Sequence, residues 1–198
     1  MTLRTVLAVA LFAATLPMAS LSAVAADAPA VFDQVQPAKS KIAFVFTQMG
    51  VPVEGQFRKS KIDLAFDAAA PAKSTVRLDL DLSGIDAGSS DANQEVGGKA
   101  WFDLKSFPTA TFVSSSVKPI SGNRYEMTGK LSIKGRTRDV TTPIIVTQAG
   151  NTAKFDGNFT LKRLEFGIGD GSWSDTSIVA DEVKVSFHVE ADRRAAVK

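Results

Sequence analysis

Between residues 125 and 146 the chain reads YEMTGKLSIKGRTRDVTTPIIV, with apolar or small residues at every second position of its first half. Tyr125, Met127, Gly129, Leu131 and Ile133 alternate with Glu126, Thr128, Lys130, Ser132 and Lys134. Successive side chains of a strand point to opposite faces, so this period builds a ribbon with one dry and one wet face. Lys134-Gly135 interrupts the run, and glycine accepts the positive φ that tight hairpin turns need. The alternation resumes with Val140, Thr142, Ile144 and Val146 on one parity. A long amphipathic hairpin results, and something must cover its dry face.

The rest of the chain offers more of the same. Ile42, Phe44, Phe46 and Gln48 share a parity, as do Val51, Val53, Gly55 and Phe57 after a turn at Gly50. Ile62, Leu64 and Phe66 follow, then Val76, Leu78, Leu80 and Leu82 against Arg77, Asp79 and Asp81. Ala110, Phe112 and Ser114 open another strand. Phe155, Gly157, Phe159 and Leu161 share a parity with Arg163, and Val183, Val185, Phe187 and Val189 form the last run. Polar opposite faces argue for antiparallel strands wetted on one side. Only residues 84–108 break the pattern. There Ser89-Ser90-Asp91 can cap a short helix over residues 92–96, and Trp101, Phe102, Leu104 and Phe107 bring rings that one end of a barrel would receive. The tail from Ala191 reads as polar and frayed. The prediction is an all-β, eight-stranded antiparallel fold with a short helical excursion. Such a set either folds into two packed sheets or closes on itself, and closed at about eight strands its interior is filled by side chains or holds one small ligand.

A short basic start, an apolar run over residues 6–16 and the A-x-A site Ala23-Val24-Ala25 predict a cleaved signal peptide over residues 1–25. The expected mature protein is a single domain over residues 26–198. Its charges, 23 basic against 21 acidic over the whole chain, are mixed and give no reason to expect nucleic acid. Cysteine is absent, so the domain must build its core without disulfides, and cysteine-ligated metal is excluded. The one histidine, His188, falls on the outward parity without a second histidine to join it, and no phosphate loop or dinucleotide fingerprint is present. These features argue against an enzyme and against a resident cofactor or metal.

The run Gly129-Lys130-Leu131-Ser132-Ile133-Lys134-Gly135, with Thr137 and Val140, resembles the hairpin of the YceI-like proteins. Ser40, Ile42 and Phe44, then Gly55 with Phe57, match that family's first strands. Trp101-Phe102-Asp103 through Phe107-Pro108 and Phe112 resembles its aromatic segment, and Arg163, Phe166, Gly167, Ile168 and Gly169 its Arg-x-x-Phe-Gly-Ile-Gly loop. Gln48 departs from the pattern, standing where many members carry histidine. The resemblance covers roughly residues 32–191. It implies an extended lipocalin-like barrel in the periplasm that holds a polyisoprenoid or other long-chain lipid. Isoprenoid quinone and polyprenyl phosphate are the candidate ligands. A role in stress response, a membrane-bound b-type cytochrome as neighbour and a homodimer are implied on the same footing.

Two readings stand for the inward apolar residues: plain core, or a tunnel for an isoprenoid tail. The tunnel would be lined by Phe44, Phe46, Phe57, Leu64, Phe66, Leu78, Leu80, Phe112, Met127, Leu131, Ile133, Phe159 and Phe187. Arg163 shares their face, where an unpaired charge is costly. It either forms an ion pair with Glu165, Asp170, Asp175 or Asp181, or stands at the rim to meet a head-group oxygen. Gln48 is either a second head-group contact or an ordinary strand-end residue. Arg136 and Arg138 share the parity of Val140, facing inward near a barrel end or solvated.

Overall fold

The computed structural model describes residues 31–194, so the expected signal peptide and the last four residues lie outside it. In chain order the strands are β1 Val31–Val35, β2 Lys41–Gln48, β3 Val51–Phe57, β4 Ser60–Asp67, β5 Thr75–Asp81 and β6 Ile85–Asp86. After helix α1, Ser90–Val96, come β7 Thr109–Ser121, β8 Arg124–Ile133, β9 Arg136–Ala149, β10 Thr152–Lys162 and β11 Glu182–Arg193. All pairings between these strands are antiparallel, and the order β1-β4-β5-β7-β8-β9-β10-β11 closes because β11 also pairs with β1. Eight strands therefore make a closed barrel, as the family resemblance implies.

The remaining strands are continuations of these staves. β2 prolongs β1 beyond the turn Pro37–Lys39, where proline cannot donate to a ladder. β3 runs into β4, and β5 into β6 through the turn Leu82–Gly84. Register carries across the breaks: Ile42 faces Phe57 in the β2–β3 pair, and Phe32 faces Phe66 in the β1–β4 pair. The barrel is thus lengthened at the end where β2, β3 and β6 stand.

The β8–β9 hairpin has the predicted form. Ile133 pairs with Arg136 across a two-residue turn in which Lys134 has φ 47 and Gly135 φ 72, both positive, as the tightest hairpin connection demands. Its wet face carries cross-strand pairs: Thr128 with Thr141 at 3.0 Å, Lys130 with Asp139 at 3.0 Å, and Ser132 with Thr137 at 2.7 Å. Its dry face, Tyr125, Met127, Leu131, Ile133, Thr142, Ile144 and Val146, is buried. The helix starts two residues earlier than expected, at Ser90, with the Ser89 hydroxyl accepting from the Ala92 N–H at 3.2 Å.

One end of the barrel is solid. Phe66 lies edge-on to Tyr125, with ring centres 5.3 Å apart, and to Phe155 at 5.2 Å. Phe32, Ala153 and Ala191 there are fully buried. The frayed tail expected from Ala191 is a misreading for its first residues, since Ala191 to Arg193 finish β11 and pair with β1; residues 195–198 lie outside the described chain. A barrel must join its last stave to its first, or both keep an open row of unpaired amides.

Candidate functional site

The opposite half of the barrel is hollow. A cavity of about 600 Å³ lies there, a volume within the range of small-molecule sites. Phe44, Phe46, Phe57, Leu64, Leu78, Leu80, Phe112, Met127, Leu131, Ile133, Phe159 and Phe187 all line it, as the tunnel reading expects. Phe66 does not. It is 2% exposed and belongs to the packed floor with Tyr125 and Phe155, because inward parity says nothing about height along the barrel. Inward parity thus supplies packed core in one half of the barrel and cavity lining in the other.

Glycines keep the wall thin. Gly55 faces Phe44 across the β2–β3 ladder, and Gly157 faces Phe187 across β10–β11. A Cβ at either position would overlap the opposing ring, so each ring lies against bare backbone of the neighbouring strand. Gly129 makes the same room for Phe112.

The segments that break the alternation close over the cavity. Ala92, Val96, Trp101 and Phe102 from the excursion, with Ile168 and Trp173 from the loop after β10, complete the lining. Strand-period reasoning missed these contacts, although the aromatic content of residues 101–107 did point to a barrel end. The Trp101 and Trp173 rings lie 5.4 Å apart, and the Trp173 indole N–H donates to Glu95 Oε1 at 2.9 Å. Gln48, Ser89, Asp91 and Glu95 line the cavity and are exposed, which marks the mouth between the end of β2 and α1. Gln48 is held there by a backbone bridge to Val179.

Arg163 satisfies neither sequence-level alternative. It begins the 3-10 turn Arg163–Phe166 and is 1% exposed. Its Nε donates to the carbonyl of Ala180 at 3.1 Å; Nη1 to Ile168 and Gly169 at 2.9 and 3.1 Å; Nη2 to Trp173 and Val179, both at 2.7 Å. A guanidinium has five N–H donors, and backbone oxygens take all of them. Burial pushes its pKa down, opposed by the charges of Asp181 and Asp170. The proposed carboxylate partners are otherwise engaged: Asp181 accepts from the Leu164 N–H, Asp170 lies 3.4 Å from Lys134 Nζ, and Asp175 accepts from Ser177. Arg163 therefore clamps the loop that roofs the cavity, and it has no donor left for a head group. Gly169, at φ 77, lets the loop wrap it, since a Cβ there would strike the guanidinium.

The hairpin is fastened to the same loop. Lys134 Nζ donates to the carbonyl of Gly167 at 2.5 Å, Arg136 to Leu164 at 3.4 Å, and Arg138 to Glu165 at 3.1 Å. Arg136 and Arg138 are exposed and stay outside the lumen. His188 is on the outer wall, bonded to Asp156 at 2.6 Å, as its parity predicts.

Known proteins agree with this architecture. A UPF0312 protein of Azotobacter vinelandii is 29% identical over 150 residues, covering 71% of this chain and 74% of that one. The crystal structure of Burkholderia cenocepacia BcnA superposes with a TM-score of 0.78 at 47% identity, over 80% of this chain and 99% of that one. A polyisoprenoid binding domain from Saccharophagus degradans, implicated in plant cell wall breakdown, has the same fold at 14% identity, with a TM-score of 0.64 over 84% of this chain and all of its own. The model of the YceI-like domain matches residues 34–191, nearly the whole described barrel, and the chain belongs to that family.

Proposed function

We propose that this protein is a periplasmic carrier that holds a polyisoprenoid lipid, an isoprenoid quinone or a polyprenyl phosphate, inside its barrel. The observation that carries the reading is the hollow upper half, apolar in its walls and closed below by the Phe66 floor. Burying hydrocarbon contributes about 0.8 kcal/mol per methylene, so a few isoprene units offset the freedom lost on binding. The Saccharophagus domain, which shares the fold, supports the same ligand class. A solid-core structural barrel would have no use for such a void.

Binding, rather than catalysis, suits the polar groups at hand. The Thr142 hydroxyl, on the cavity wall, donates to the carbonyls of Asn158 and Pro143 at 3.0 and 3.2 Å. Ser89 caps α1, Arg163 is saturated, and His188 is outside. Among the described residues, neither wall hydroxyl, Ser89 or Thr142, is hydrogen-bonded to a carboxylate or a histidine that could activate it. Export through a leader ending at Ala25, service to a membrane-bound b-type cytochrome, and a homodimeric state belong to the same proposal.

The test is organic extraction of protein purified from the periplasm, followed by mass spectrometry and an ultraviolet–visible scan. A long-chain isoprenoid at close to one per barrel is expected, on a chain whose N-terminal residue is Ala26. A clean extract, together with failure of the protein to take up added polyprenol, would overturn the reading.

A further inference from the structure

The charges around the cavity discriminate between the two candidate ligands. Of the described residues that line it, only Arg163, Asp91 and Glu95 carry ionisable groups of full charge. The cation among them is closed off, its five N–H groups all taken by backbone carbonyls. The two carboxylates are at the mouth, both on α1 and both exposed. Glu95 is held in place by the Trp173 indole, which itself lines the cavity. A lipid whose tail fills the lumen leaves its head group at this opening. A phosphate there meets two negative charges and no free guanidinium or ammonium from the cavity wall.

Gln48, at the same mouth, is exposed and has an amide that can donate to an uncharged oxygen.

We propose that Asp91 and Glu95 act as a charge filter, so that the barrel takes isoprenoids with an uncharged, oxygen-bearing head group and turns away their phosphates. The inference rests on the lipid-carrier reading and sharpens it to one ligand class. An exposed like charge about 4 Å from a phosphate weakens its binding by roughly fivefold at low ionic strength, and less as salt screens it.

The experiment compares a polyprenol with the polyprenyl phosphate of the same tail length. Both are titrated into the delipidated full-length mature protein, with quenching of Trp101 and Trp173 as the signal. The alcohol is expected to bind roughly fivefold or more tighter in low salt, and the ratio to shrink in high salt. In the double variant Asp91→Asn, Glu95→Gln, whose amides keep the shape of the mouth and the acceptor for Trp173, the ratio is expected to fall to near one. Equal or tighter binding of the phosphate by the native protein overturns the filter while leaving the carrier reading intact. A ratio unchanged in the folded double variant, checked by its melting temperature, overturns the assignment to these two residues. Binding of neither lipid defeats the carrier reading, and the filter with it.

Discussion

Arg163 shows how much a single side chain can organise. Its position on the inward parity of Phe159 and Leu161 is legible in the sequence, and so is the need for partners once it is buried. The partners themselves are not, because they are backbone oxygens of residues 168–180 that reach it only when the loop folds over the barrel. Removing the guanidinium would strand buried carbonyls, each costing about 1–3 kcal/mol when left unsatisfied. Arg163→Met should therefore lower unfolding stability by at least about 3 kcal/mol in urea titrations. Arg163→Lys should rescue little, since an ammonium has three donors where five acceptors wait. A loss below about 1 kcal/mol would contradict the clamp.

At the scale of strands, the glycines inside the ladders are as informative as the aromatics. Gly157 lies directly across from Phe187, and a Cβ there would also crowd the carbonyl of Pro143 at 2.9 Å. Gly157→Val should drive the Phe187 ring into the lumen, reducing extracted lipid per barrel and lowering the melting temperature. The double variant Gly157→Val, Phe187→Ala returns the room and should recover lipid occupancy. If it holds no more lipid than the single variant, the ring is not what the glycine accommodates. The sequence displays both residues on inward parities. That they face each other depends on the β10–β11 register, which pattern alone does not state.

For the molecule as a whole, acid stability follows from carboxyls held below their ordinary range. Asp81 is lowered by the Ser83 hydroxyl, Asp86 by the hydrogen bond from Arg58, and Asp175 by Ser177. Burial pushes Glu190 up, but Lys154, His188 and Lys39 outweigh it and hold it down. A group whose pKa is depressed by folding adds stability above its unfolded value, and loses it as pH falls through the folded one. The melting temperature should thus stay level with respect to these groups above about pH 5 and decline below about pH 4. Glu190→Gln should make the acid limb shallower in thermal scans over that range. An unaltered limb would remove Glu190 from the account.

What the sequence determines by itself is a set of antiparallel strands, their hairpin turns and the inward set of side chains. These follow from period two, a local property that each strand carries whatever its neighbours do; closure was implied only by the family resemblance and is made by the β1–β11 pairing. The alternation does not reveal the short strands Val31–Val35 and Ile85–Asp86, because the turns Pro37–Lys39 and Leu82–Gly84 part them from the runs they continue. Tertiary structure alone decides that Phe66 seals a floor while Leu64, two residues earlier, lines a cavity. It alone brings the aperiodic segments of Trp101 and Trp173 together as a roof over that cavity, with Asp91 and Glu95 at its mouth. Parity sets the direction of a side chain. Its height along the barrel, and what it meets there, depend on strand stagger and on loops without period, and those are settled only when the barrel closes.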